Sequence, residues 1–512
     1  MLNLLNSCRN TARRDVYWLC TQAASVESKN IRSFDDIPGP RGPLGLGNLY
    51  NYLPVIGKYS WLKLHKSGFH KYETYGSIVR ETMAPGVNIV WIYDPKDIAV
   101  LLNDKDYPHR RSHLALEKYR IDRPHVYRSA GLIPTNGPEW WRLRSELQKE
   151  LSAPKNVRSF LMDVDKITHE FLDMLPVQSE FNLLPELARL NLELTCLLTF
   201  DERLNAFSPE EHHPNSRTSK LIKSTETTNS CILPTDQGLQ LWRYFETPTY
   251  KKLRKAQNYM ESVAVELVAQ KITYFKEENV QQTSSSTGGN LTRSSLIEEY
   301  LKNPNLDLSD VVGMASDLLL AGVDTTSYST SFAVYHIARH PEIQQKLYEE
   351  AKAIMPNVDD PLTAETLNTG ITYTRAVLKE SFRLNPVSVG FGRILKKDIV
   401  LSGYHVPAGT IAVTQNMIAS RLEKHFERPN EFDPQRWLQR KTNINPYVVL
   451  PFGHGMRSCI ARRMAEQSIL VFLLKLVRRY NIEWKGVEDL DVRTLLINKP
   501  EDPVNVVLKE RP

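Results

Sequence analysis

Apolar residues recur at three- and four-residue spacings over long stretches of this chain, the period that turns one face of a helix toward a core. The pattern predicts helices over Trp140–Leu151, Val311–Ala338, Arg375–Leu384 and Ile460–Tyr480. Runs short enough for strands occur at Ile78–Thr82, Val87–Tyr93 and Ile399–Leu401. The expected fold is therefore mainly α with a small β region, one large domain without internal repeats. The most apolar run, Ile469–Leu474, is closed by Lys475 and falls far short of the roughly 20 residues a bilayer span needs. No transmembrane helix is expected.

Punctuation sets the boundaries. The first 33 residues carry Arg9, Arg13, Arg14, Lys29 and Arg32 against Asp15 and Glu27, and begin on the weakly amphipathic Leu2, Leu4 and Leu5. They read as a mitochondrial targeting presequence, with a disordered basic tail as the alternative, and residues 34–512 as the folded domain. Ile37–Pro43, with three prolines, is a stiff extended entry to that domain. Gln281–Gly289 is polar and low in complexity, and reads as a surface loop.

Composition then excludes several classes. The chain has 512 residues, 41% of them apolar and 24% charged, with a formal charge of +6 from 65 basic and 59 acidic side chains. That length supports a large core, and the charge is too sparse for the basic stripe of a nucleic-acid binder. Cys8, Cys20, Cys196, Cys231 and Cys459 are scattered and form no C-x-x-C, so neither a zinc ribbon nor a disulfide framework is written, and reduced thiols are expected.

Candidate chemistry concentrates near the C-terminus, in Pro451–Arg463. Cys459 sits where a long helical pattern begins, among Arg457, Arg462 and Arg463, an environment expected to favour the thiolate. A thiolate there is a metal ligand or a nucleophile; a buried structural cysteine is the plain alternative. Zinc lacks further ligands at close spacing, and His454 is the one local base. Gly453 and Gly455 point to a turn whose backbone approaches something flat and large. Ala321–Thr326 places Gly and Thr inside a helical pattern, where they lower helix propensity. That reads either as a local groove, with the Thr325 hydroxyl bonding the preceding turn, or as close helix packing.

Taken together, these segments resemble the cytochrome P-450 family of haem-thiolate monooxygenases. Phe452, Gly455, Arg457 and Cys459 fill F-x-x-G-x-R-x-C in order, with Ala461 where the family usually has glycine. Ala321-Gly322-Val323-Asp324-Thr325-Thr326 resembles the oxygen-activating helix, Glu380 and Arg383 the E-x-x-R pair, and Phe432–Trp437 the stretch that supplies a third partner, Arg436. Trp140 with Arg144 resembles the W-x-x-x-R helix, and Gly392-Arg393-Ile394-Leu395 the strand that sends an arginine to a propionate. The resemblance implies haem b (iron protoporphyrin IX) bound by Trp140, Arg144, Arg393, Phe452, Arg457 and Cys459, with Cys459 as the axial iron ligand, whose electron density favours O–O cleavage. It implies Thr325 and Asp324 as the proton-delivery pair, and the triad Glu380, Arg383, Arg436 as scaffold.

The branch is legible as well. Arg375 and Lys379, with Arg462 and Arg463, are similar to basic positions at which mitochondrial members dock an acidic two-iron ferredoxin. Dioxygen, an apolar steroid and the matrix side of the inner membrane, associated peripherally, complete the expected partners. Pro386–Gly392 and Leu495–Asn498 are candidate pocket walls, apolar enough for such a substrate. Phe34–Pro40, Tyr52–Gly57, Arg110–Leu116 and Pro134–Trp141 resemble the insect mitochondrial ecdysteroid 22-hydroxylases, implying 22-hydroxylation of an ecdysteroid precursor in moulting-hormone biosynthesis. Hydroxylation at another steroid or sterol position, a haem-thiolate isomerase, and a non-catalytic haem protein are the alternatives; the Asp324–Thr325 pair speaks against the isomerase.

Overall fold

The computed structural model describes residues 31–511 apart from 43–46, 54, 111, 238–239, 283–294 and 440–443, and only the backbone of 275–282. The expected presequence up to Asn30, with Cys8 and Cys20, lies outside the described residues, as does most of the 281–289 loop. Folded contacts begin inside the expected 1–33 segment. Arg32 donates its backbone N–H to Gly403 at 3.0 Å and lays its guanidinium 3.6 Å from the centroid of the Tyr404 ring.

Helices dominate, as the periodicity predicts. Those that build the site are α1 (Gly137–Leu151), α2 (Leu183–Phe200), α3 (Arg217–Asp236), α4 (Leu308–Arg339), α5 (Thr372–Leu384) and α6 (Arg462–Arg479). The 32 residues of α4 make a rod of about 48 Å that is buried along most of its length against α2 and α3. Its start is fixed by a reciprocal cap: Asp310 N–H donates to the Asp307 carboxylate at 2.8 Å, and Asp307 N–H to that of Asp310 at 3.2 Å. Arg142 of α1 then grips Asp310 at 2.8 Å, which ties α1 to the same end.

The β region is divided among small sheets. The main one runs β1 (Ile78–Ala84), β2 (Val87–Ile92), then the later strand Ile411–Thr414, and Gly392–Ile394 at its edge. β2 pairs in parallel with Ile411–Thr414, while Arg393 faces Ala412 across an antiparallel ladder. This register holds Arg393 against the helical body. A two-stranded hairpin, Val492–Thr494 with Asn498–Pro500, reaches back to the segment after α5, where Asn498 N–H donates to Val387 at 2.7 Å and its amide to Pro386 at 2.9 Å. Both expected pocket walls are thereby stitched together.

Candidate active site

The loop before α6 is shaped by two glycines. Gly453 and Gly455 adopt φ of 71° and 73°, and a side chain at Gly455 would run into the carbonyl of Leu102. The turn brings Cys459 back so that its N–H donates to the Phe452 carbonyl at 2.8 Å, and Phe452 rests edge-on against Phe382 of α5. α6 starts only at Arg462, so Cys459 lies three residues ahead of the helix rather than on its first turn. In the protein without a bound group, burial pushes the Cys459 thiol up, opposed by the Ala461 N–H and the charges of Arg144 and Arg462. The expected preference for thiolate is outweighed there by desolvation. Cys459 is nonetheless an exposed residue. Its exposure is the more telling observation, because a ligating sulfur needs an open face.

A second exposed position lies on α4. Ala321 is exposed in the middle of an otherwise buried helix, and Thr325, one turn on, is half-buried. The Thr325 hydroxyl donates to the Ala321 carbonyl at 2.6 Å, as expected. Gly322 serves the other reading of this motif. A Cβ there would stand 2.5 Å from the Thr195 hydroxyl, so its smallness lets α2 and α4 pack closely. Asp324 leaves the helix about 100° from Thr325 and points at α3. Its carboxylate accepts from the Asn229 amide at 2.7 Å and the Thr225 hydroxyl at 3.3 Å. Burial pushes its pKa up to about 6 against the pull of the Asn229 bond, with nearby Glu226 adding to the rise. Beyond it, Lys499 of the hairpin pairs with Glu226 at 2.6 Å.

The third wall is cationic. Arg110, Arg144, Arg393 and Arg457 converge, and burial, followed for Arg393 and Arg457 by mutual repulsion, pushes all four guanidinium pKa values down: Arg457 to about 8, Arg393 to about 9 and Arg144 to about 10. Guanidinium stays charged in proteins, so the direction measures how badly this cluster wants an anion. Among the described residues no acid forms an ion pair with any of the four. The Nε of Arg393 and the Nη1 of Arg457 are buried without a hydrogen-bond partner. Arg457 is otherwise well held, with Nε donating to Pro108 at 2.6 Å, Nη2 to Thr135 and to the Asn136 side chain at 2.9 Å each, and its plane 4.0 Å from the Trp140 ring centroid. Arg144 donates Nε to Gln148 at 3.2 Å.

Comparison with known proteins agrees with this arrangement. The family model described as Cytochrome P450 matches residues 40–506. The chain belongs to the cytochrome P450 family. It is 60% identical over 484 residues, 94% of this chain and 96% of the relative, to Cytochrome P450 302a1, mitochondrial, of Drosophila melanogaster. It is 28% identical over 516 residues, 98% of this chain and 94% of the relative, to the same organism's Ecdysone 20-monooxygenase. To its Probable cytochrome P450 12a5, mitochondrial, it is 30% identical over 486 residues, 89% of this chain and 88% of the relative.

As a cytochrome P450, the protein is a monooxygenase that works on haem iron. The residues present fit that group: an exposed cysteine, an exposed alanine within the buried α4, and four clustered arginines, two of them with an orphaned buried donor. The Glu380 triad is also assembled. Glu380 accepts from Arg383 twice at 2.8 Å, from Arg436 and the Trp437 indole at 2.9 Å each, and from Asp433 N–H at 3.0 Å. Lys379 stands exposed beside it, its ammonium 4.0 Å from the centroid of the Trp437 ring, and feels Arg462; Arg375 lies one turn earlier and donates to Leu367. Arg463 instead turns toward the Ser152 carbonyl.

Four functional neighbours escaped the motif reading. Arg110 was visible only inside a stretch of general resemblance, and Asn136, Thr225 and Asn229 act through contacts with residues 26 to 321 positions away. No local pattern marks such partners. The surface recess of about 350 Å³ lined by Asp35, Gly39, Arg80 and Thr82 contains none of these residues.

Proposed function

We propose that this cytochrome P450 is a mitochondrial steroid hydroxylase that inserts oxygen into the C22–H bond of an ecdysteroid precursor, using electrons from a two-iron ferredoxin. The observation that carries the reading is the 60% identity to a Drosophila mitochondrial cytochrome P450 along almost its whole length. The name of the more distant Ecdysone 20-monooxygenase supports ecdysteroids as the substrate class. The walls at Val387, Val389, Leu496 and Ile497 are apolar and join the main core, which suits a steroid body.

Cys459, Phe452, Trp140, Arg144, Arg393 and Arg457 would hold haem b, which would supply dioxygen activation. The chain's own residues supply protons and positioning. Asp324, with a pKa of about 6, can both take and give a proton near neutral pH. Thr325 carries its hydroxyl beside the exposed Ala321, whose carbonyl anchors it. Lys379 and Arg462, with Arg375 and Arg463 flanking them, form the basic face that receives the acidic ferredoxin, a contact screened by salt. The basic segment before Arg32 addresses the protein to mitochondria, where its contact with the inner membrane is peripheral; no described helix is long and apolar enough to cross a membrane.

The test is reconstitution with mitochondrial ferredoxin, its reductase and NADPH on a 22-deoxyecdysteroid, with the new hydroxyl located by mass spectrometry and NMR. A C22 alcohol supports the reading. A product hydroxylated elsewhere moves the assignment to another steroid position, and full haem with no ferredoxin-dependent product overturns it.

A further inference from the structure

Asn136 lies immediately before α1, where an asparagine ordinarily caps the helix by accepting from a first-turn N–H, worth about 1 kcal/mol. It makes no such bond. Gly137, at φ 69°, turns the chain between Asn136 and Pro138, and the side-chain amide is spent elsewhere. Its oxygen accepts from the Arg457 guanidinium at 2.9 Å and from the backbone N–H of Arg110 at 2.8 Å. Its nitrogen donates to the Arg110 carbonyl at 3.1 Å and to Pro134 at 3.3 Å. One amide therefore fixes the main chain of one cluster arginine and the guanidinium of another. It uses only Nη2 of Arg457, leaving the buried Nη1 without a partner.

We infer that Asn136 is a positioning residue for the prosthetic group: it aims Arg457 and Arg110 at the carboxylates of haem and holds two like charges in place before the anion arrives. The inference rests on the haem-propionate reading of the arginine cluster. A neutral amide suits this task better than an acid would. A carboxylate at this position would satisfy Arg457 internally and leave it less demand for an external anion, whereas the asparagine accepts from the guanidinium and keeps the charge available.

The experiment is a double-mutant cycle on the holoenzyme, Asn136→Ala against Arg457→Met, reading the rate of haem transfer to excess apomyoglobin and the midpoint potential of the iron. Asn136→Ala should speed haem release roughly tenfold, the effect of losing one hydrogen bond to a charged group. In the Arg457→Met background the same change should alter release by less than about twofold, because the two act as a unit. The potential of Asn136→Ala should move in the same direction as that of Arg457→Met, by less. Equal factors in both backgrounds, or no change in either readout, would overturn the inference. If Asn136→Ala does not fold, Asn136→Ser, too short to reach Arg457, takes its place in the cycle. A wild-type protein lacking the thiolate-type carbon monoxide spectrum would instead sink the haem reading itself.

Discussion

Two clusters of arginine, one around Glu380 of α5 and one around Arg457 in the Cys459 loop, are built on different rules. Around Glu380 both arginines pair with a buried acid, and of their guanidinium nitrogens Nη2 of Arg436 is buried without a partner. The carboxylate takes five donors, and Arg383 also donates to the carbonyls of Ser420 at 2.9 Å, Pro429 at 2.5 Å and Glu431 at 2.9 Å. Around Arg457 four cations face one another without an acid, and two guanidinium nitrogens have no partner. A satisfied buried network stiffens a fold, while an unsatisfied one is tolerated only where something else completes it. We propose the first cluster as scaffold and the second as the site of the haem carboxylates, the difference being a buried acid that pairs with Arg383 and Arg436 and has no counterpart among the described partners of Arg457.

The contrast is broken most forcefully at Glu380. Glu380→Ala strands Arg383, Arg436 and the Trp437 indole, and should destabilise the protein by about 3–5 kcal/mol in urea unfolding, with or without haem. An unchanged midpoint would deny the scaffold role. Asp324 is an intermediate case, a buried acid with two neutral donors. Its folded pKa of about 6 lies above the ordinary value of 3.8, so the folded state favours the protonated form. Full stability is thus present below pH ~4 and is lost as pH rises through ~6, a penalty of about 2–3 kcal/mol. Asp324→Asn should be more stable than wild type above pH ~6, equal to it below pH ~4, and slower in turnover by about a hundredfold, with the pH–rate profile flattened. Turnover that keeps its wild-type pH dependence would remove Asp324 from proton delivery.

The arginine cluster gives a smaller and opposite response. Arg393 makes one side-chain bond, to its neighbour Gly392, at 2.8 Å. Arg393→Met should leave the haem-free protein as stable as before, or more so, yet speed haem release about tenfold. Loss of haem-free stability comparable to that of Glu380→Ala would erase the distinction. The least effect on folding is expected at the exposed Lys379. Lys379→Glu should change stability by less than about 0.5 kcal/mol while raising the KM for ferredoxin at low salt, an effect that fades as salt is added. No salt-dependent change in KM would place the docking face elsewhere.

Much of this was legible in the sequence because the family's motifs are local. The helices at Trp140, Val311 and Arg375 and the strands at Ile78, Val87 and Ile399 begin within three residues of their predicted starts. Arg457, Arg393, Arg144 and Trp140, named from the motifs, are neighbours in the structure, and their roles toward haem are the proposal. What escaped depends on packing over distance. The split between the exposed Ala321 and Gly322 against Thr195 is set by how α4 is rotated against α2, which no spacing encodes. The turn of Asp324 toward Asn229 requires α3 to lie alongside, and the role of Asn136 requires a loop some 320 residues downstream. The Cys459 thiol departs from expectation because its helix starts at Arg462, two residues later than the apolar pattern does, leaving burial to dominate.

The central claim is that the Arg457 cluster is built to receive two carboxylates. The most direct measurement is the affinity of the haem-free protein for haem compared with haem dimethyl ester, in which both propionates are neutral. The account predicts that haem binds roughly a hundredfold tighter or more, and raises the melting temperature further, because charge-assisted bonds to the arginines are lost in the ester. Equal affinity for the two would contradict it and return the cluster to the status of scaffold.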